Sequence, residues 1–122
     1  MQLSQVILFV HDVARMQAFY AQLGLTRVDG DAASGFLRLA DATGGAVLAL
    51  HATTAIGPPA KPPVARVDTA LKPCFHVDDL EAARAALIAQ GAQMRDVHRY
   101  DNVMLCDGVD PEGNIFQLTT RT

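Results

Sequence analysis

Val77-Asp78-Asp79-Leu80, followed by an alanine-rich run that stops at Gly91, echoes Val10-His11-Asp12-Val13 and the run that follows it to Gly24. The two copies superimpose without a gap when the chain is shifted by 67 positions, with Val10/Val77, Asp12/Asp79, Ala18/Ala85, Gly24/Gly91 and Asp29/Asp96 identical. Self-similarity of this length means one supersecondary unit used twice. The alternative, chance likeness between two alanine-rich helices, does not account for matched punctuation at both ends.

Each copy reads as β-α-β-β-β. In the first, Leu3 to Val10 is a short apolar run rich in β-branched residues, hence a strand. Asp12 then caps a helix that runs to Leu23, with Val13, Met16, Tyr20 and Leu23 on one stripe. Gly24 ends it in the left-handed conformation. Strands follow over 25–28, 36–40 and 46–51, separated by turns at Asp29-Gly30-Asp31 and Thr43-Gly44-Gly45. In the second copy, a strand over 70–77 leads to Asp78, which with Glu81 forms a capping box. The helix it starts ends near Gln90 with Leu80, Ala83 and Leu87 buried, and strands cover 93–99, 103–106 and 115–119. Between the copies, residues 53–69 contain Pro58, Pro59, Pro62 and Pro63, which neither a helix nor a central strand tolerates. The expected organisation is a single domain of two repeats, 1–52 and 70–122, joined by that linker.

Composition narrows the function classes. Of the 122 residues half are apolar and 19% charged, enough for a core without staples. The formal charge is −3 and the basic residues are spaced singly, so nucleic acid is disfavoured as a partner. No apolar stretch approaches a membrane span and no leader pattern is visible, so a cytoplasmic protein is expected. Cys74 and Cys106 fit neither a disulfide framework nor a zinc spacing and are expected to be reduced and mostly buried.

The doubled β-α-β-β-β pattern, the Val-x-Asp helix entries, Phe19-Tyr20 with Leu23-Gly24 behind them, and the closing Asp110-Pro111-Glu112-Gly113-Asn114-Ile115-Phe116-Gln117-Leu118 together resemble the vicinal oxygen chelate superfamily. That superfamily includes glyoxalase I, bleomycin-resistance proteins, fosfomycin-resistance proteins and extradiol dioxygenases. The resemblance implies an α+β fold whose two units curl into a half-open, barrel-like cleft that often holds a divalent metal. It also implies ligand positions on the first and last strand of each unit: Gln5 and a residue near Ala49, then Lys72 and Gln117. The 67-residue offset pairs Gln5 with Lys72 in agreement, but pairs Gln117 with Leu50 rather than Ala49. Strand alternation then groups Gln5 with Ile7 and Phe9, Ala49 with Val47 and His51, Lys72 with Cys74 and His76, and Gln117 with Ile115 and Thr119.

This set is poor in metal ligands. Transition metals in such sites are held by His nitrogens and carboxylates, whereas the four mapped positions offer two amides, a methyl group and an ammonium. The two glutamates, Glu81 and Glu112, fall on a helix and a turn, and the aspartates fall in caps, turns or strand ends such as Asp41 and Asp107, so no carboxylate is expected in the cleft unless the site borrows Asp107 or a residue of a partner chain. Lys72 would repel a cation outright. The expectation is therefore a protein with no metal or other cofactor. It binds a small anionic or carbonyl-bearing molecule through Gln5, Ile7, Phe9, Ala49, His51, Lys72, Cys74, His76 and Gln117. Two enzyme readings stand beside it. In one, Lys72 or His51 removes a proton next to a carbonyl without metal. In the other, the chain is a divergent lyase or dioxygenase using Zn, Ni, Fe or Mn through rearranged ligands. Open sheet edges, and the habit of the resembled superfamily, point to a homodimer.

Overall fold

The structure, a computed structural model, describes residues 1–52 and 71–121; the segment read as a linker, 53–69, lies outside the described residues. The chain divides into two compact units, Met1–Lys61 and Pro62–Thr122. The first contains β1 (Val6–Val10), α1 (Val13–Ala21), β2 (Thr26–Asp31), β3 (Phe36–Ala40) and β4 (Val47–Ala52). The second contains β5 (Cys74–His76), α2 (Leu80–Ala89), β6 (Gln93–Tyr100), β7 (Val103–Val109) and β8 (Ile115–Thr119). This is the α+β, twice-used β-α-β-β-β arrangement that the repeat implies.

Each unit builds an open four-stranded sheet of the same topology, β1-β4-β3-β2 and β5-β8-β7-β6. The first strand pairs in parallel with the last, and the middle pairs are antiparallel. The helix packs on one face of its own sheet. In the first unit it covers Leu37, Leu39 and Leu50 with Val13, Met16 and Tyr20, all buried. In the second, Leu80 and Leu87 do the same over Cys106, Phe116 and Leu118. Each such side chain contributes about 1.5–3 kcal/mol by leaving water. The opposite face of each sheet has no helix of its own unit on it.

Helix punctuation matches the repeat, with one correction. Asp12 accepts a hydrogen bond from the Arg15 amide at 3.0 Å, and Asp79, not Asp78, accepts the equivalent one from Ala82 at 3.0 Å. Asp79 is the residue aligned with Asp12, and Glu81 stands one position too early to close a capping box on it. Glu81 instead takes the Arg99 guanidinium at 2.8 Å. Gly24 and Gly91 end the helices at φ of 86° and 91°.

Several strand boundaries differ from the sequence reading, among them the end of β7, which runs to Val109 rather than Cys106. β1 starts at Val6 rather than Leu3: Val6 pairs with Leu48, and β4 begins one residue earlier at Val47, so Leu3 and Ser4 have no strand beside them. β5 starts at Cys74 because Pro73 has no amide hydrogen to offer, although its carbonyl still accepts from the Gln117 amide at 2.9 Å. Asp29-Gly30-Asp31 is not a turn: β2 continues to Asp31 through a register slip between Arg27 and Asp29, and the chain reverses over 32–35. β6 slips at the corresponding place, between Met94 and Val97. No described helix is long and apolar enough to cross a membrane.

Candidate functional site

In the second unit, the face away from α2 carries Cys74, Asp107 and Gln117 in one cross-strand row, since Cys74 pairs with Gln117 and Gln117 with Asp107. Lys72, just before β5, reaches into that row. Its ammonium lies 2.8 Å from Asp107 Oδ2, and the Gln117 side-chain amide donates to Asp107 Oδ1 at 2.9 Å. The Cys74 thiol is within 3.8 Å of Gln117 Oε1 and 3.5 Å of the Lys72 carbonyl oxygen. Burial works against the Asp107 carboxylate, yet the hydrogen bonds from Lys72 and Gln117 and the charges of Lys72 and Arg95 prevail and hold its pKa below the ordinary value.

Asp107 thus corrects one expectation. A carboxylate is available on this face, because β7 runs on to Val109 and Asp107 is an interior strand residue. Lys72 is its ion-pair partner. Cys74 is exposed, contrary to the expectation of two mostly buried thiols, because it lies on the helix-free face; Cys106, on the covered face, is buried, and that burial raises its pKa. His76 follows Cys74 by alternation but is taken up at the strand end. Its Nδ1 sits 3.2 Å from the Arg121 carbonyl oxygen and its Nε2 3.2 Å from Asp78 Oδ1.

In the first unit, the corresponding face has two cross-strand rows. One is Ile7, Ala49 and Arg38; the next is Phe9, His51 and Phe36. The His51 ring stacks on Phe9 with centroids 5.8 Å apart and meets Phe36 edge-on at 5.2 Å. Ile7 is exposed, Gln5 is half-buried just ahead of β1, and Ala49 is fully buried. Arg38 is the residue the sequence reading passed over. One guanidinium Nη lies 4.0 Å from Asp29 Oδ2, too far for a hydrogen bond, and the buried Nε has no hydrogen-bond partner among the described residues.

Register also resolves which residue of β4 corresponds to Gln117. Ile7 pairs with Ala49 as Cys74 pairs with Gln117, and Ile7 and Cys74 are 67 apart, so Ala49 rather than Leu50 holds the position. One strand further, Arg38 holds the position of Asp107. Equivalent points on the two helix-free faces therefore carry opposite charges; among the described residues Asp107 has Lys72 at 2.8 Å, while Arg38 has only Asp29 at 4.0 Å.

The donor set of the second unit does not suit a divalent cation. Asp107 has both oxygens engaged, and a cation there would sit near the Lys72 ammonium, where each pair of unit charges about 3 Å apart repels by roughly 5 kcal/mol at an effective dielectric constant of 20. No three His, Cys, Asp or Glu side chains converge among the described residues.

Comparison with known proteins agrees with this architecture. A family model described as a glyoxalase-like domain matches residues 5–119. A glyoxalase family protein from Bacillus cereus superimposes with a TM-score of 0.81 at 20% identity, over 98% of this chain and 93% of its own. The fosfomycin resistance protein FosX from Mesorhizobium loti gives 0.71 at 18% identity, over 99% and 92%. A bleomycin-binding protein crystallised with bleomycin gives 0.67 at 21% identity, over the whole of both chains. None of the curated proteins compared with the chain matches it.

Proposed function

The chain belongs to the glyoxalase-like domain family, within the vicinal oxygen chelate superfamily, and on that premise we propose that it binds a small anionic or carbonyl-bearing molecule without a catalytic metal. The observation that carries the reading is the Lys72–Asp107 contact of 2.8 Å, closed on its other side by Gln117. Two of the positions that the superfamily uses for ligands, Lys72 and Gln117, are here spent on holding one carboxylate. The ammonium held 2.8 Å from this carboxylate opposes a metal there electrostatically.

What remains for a ligand is polar and adaptable on each face taken by itself: in the first unit the Gln5 amide and the His51 ring in its aromatic setting, in the second the exposed thiol of Cys74. Groups of this kind orient a small molecule against an apolar wall. Neighbours named for binding bleomycin and for fosfomycin resistance support the reading that this fold holds small molecules, with or without transforming them.

The test is metal analysis of protein purified without chelator, followed by thermal melts with EDTA and with a panel of 2-oxo acids, carboxylates and neutral carbonyl compounds. We expect metal well short of one equivalent per chain, a melting temperature indifferent to EDTA, and stabilisation by at least one anionic or carbonyl compound through mass action. Stoichiometric zinc, nickel, iron or manganese that EDTA removes with loss of stability would refute metal independence and restore the metal-lyase or dioxygenase reading.

A further inference from the structure

We propose that Arg38 captures the anionic group of the ligand, a carboxylate or phosphate, on the helix-free face of the first sheet, and that a flat apolar body attached to that anion lies along Ile7, Phe9 and His51. This rests on the small-molecule-binding reading above and names the chemistry it takes.

Three observations converge on Arg38. First, its charge is under-satisfied. Asp29 is its one charged neighbour among the described residues, at 4.0 Å and with a side chain 66% exposed, and the Nε donor is buried with no acceptor. The unmade bond at the buried Nε marks a guanidinium that the protein's own acceptors do not saturate, and an incoming oxyanion is rewarded by charge and by hydrogen bonds from the remaining donors. Second, about a third of the Arg38 side chain, 34%, reaches solvent, so an incoming group can meet it without displacing the core. A planar fork of donors suits the two oxygens of a carboxylate or phosphate better than a single ammonium does. Third, the surroundings are apolar and flat. The Phe9, His51 and Phe36 row lies directly beside the row of Ile7, Ala49 and Arg38, and Ile7 is 41% exposed. Ala49, fully buried, forms the floor and makes no contact of its own.

The second unit makes the contrast. At the position equivalent to Arg38 it has Asp107, already paired, and its cation, Lys72, is occupied by that pair. At this strand position, then, the first face offers a cation and the second a paired acid.

Heteronuclear NMR in the presence of EDTA tests this with three probes of one shape: benzoate, phenyl phosphate and the neutral benzamide. The two anions are expected to shift the Arg38 Nε–Hε resonance and the amides of Ile7, Phe9, Arg38 and His51, and benzamide to leave them nearly still. Arg38→Met is expected to weaken the anions by about tenfold or more, and Arg38→Lys to recover part of that. The mapping on unmutated protein keeps the test decisive if either variant folds poorly. Anion shifts confined to Cys74 and Gln117, benzamide binding as tightly as benzoate, or no binding of either anion would overturn the assignment. So would loss of binding in Lys72→Met with binding kept in Arg38→Met, an outcome that leaves metal-free binding standing. Shifts at Arg38 that appear only after zinc is added would uphold Arg38 and refute metal independence instead.

Discussion

Lys72 and Asp107 set the character of the second unit, and a double-mutant cycle measures how strongly. The perturbations are Lys72→Met, which keeps the aliphatic stem and removes the charge, Asp107→Asn, and the two combined. At 2.8 Å the bare attraction is about 1.5 kcal/mol in water and about 6 kcal/mol at an effective dielectric constant of 20. Lys72 is 34% exposed and Asp107 23%, so solvent screening and the cost of desolvating both ions pull the net figure toward the lower end. We expect a coupling free energy of about 1–2 kcal/mol at pH 7 from urea unfolding. The pH dependence has a fixed sign. The pKa of Asp107 in the folded chain lies below its unfolded value of about 3.9, so the stabilisation is fully present above that pH and drains away as pH falls through the folded value. The coupling should therefore hold from pH 7 to 5 and shrink on further acidification. A coupling under about 0.3 kcal/mol at neutral pH, or one that grows on acidification, would refute both the pairing and the argument against a metal that is built on it.

Two further outcomes follow from local geometry. Asp79→Ala should lower stability by about 1 kcal/mol through loss of the helix cap, while Asp78→Ala, with its carboxylate in solvent, should stay within about 0.5 kcal/mol by the same urea assay. Gly30→Ala should cost about 2–4 kcal/mol, because Gly30 has φ of 69° and a Cβ there would strike the Phe36 carbonyl oxygen; Gly44→Ala, at the same φ but with open space around it, should cost only about 1 kcal/mol.

The fold was legible because its signals are local and doubled. Helix ends at Asp12, Gly24 and Gly91, and strands Phe36–Ala40 and Ile115–Thr119, are written in caps, glycines and alternation that need no tertiary context. What sequence misplaced depends on partners. Where β1 begins is decided by where β4 begins, and whether Asp29-Gly30 turns or bulges is decided by its register against β3. The site was half legible for the same reason. Alternation put Cys74 with Lys72 and the resemblance set Gln117 in the same site, and the register brings the three together, but ending β7 at Cys106 hid Asp107. Had that strand been carried to Val109, the alternation of Leu105, Asp107 and Val109 against Cys106 and Gly108 would have exposed it. Arg38 had a signal too, as a lone charge between Leu37 and Leu39 in an otherwise apolar strand, at the place where its neighbours' burial leaves only one side for it to face.

Which repeat positions agree and which differ is itself a physical result. The identities at the 67-residue offset include Val10/Val77, Asp12/Asp79 and Gly24/Gly91, a strand end next to the helix and the residues that start and stop it. Replacing a buried apolar residue there leaves a cavity, at about 2–5 kcal/mol for a change to Ala at the larger positions, and losing a cap costs about 1 kcal/mol, so both copies answer to the same constraint. On the helix-free faces the equivalent pairs of the candidate site differ: Gln5/Lys72, Ile7/Cys74, Ala49/Gln117 and Arg38/Asp107. No helix of the same unit packs against these positions, so they do not answer to the helix–sheet packing that both copies share. The charges also differ in how they are met: among the described residues, the cation at residue 72 has an acid two strands away that pairs with it, while Arg38 has none nearer than the exposed Asp29. At equivalent strand positions one copy of the unit carries a paired acid and the other a loosely paired cation. An anionic ligand has its reason to bind at this position in the first unit, which is why the two faces have to be tested separately.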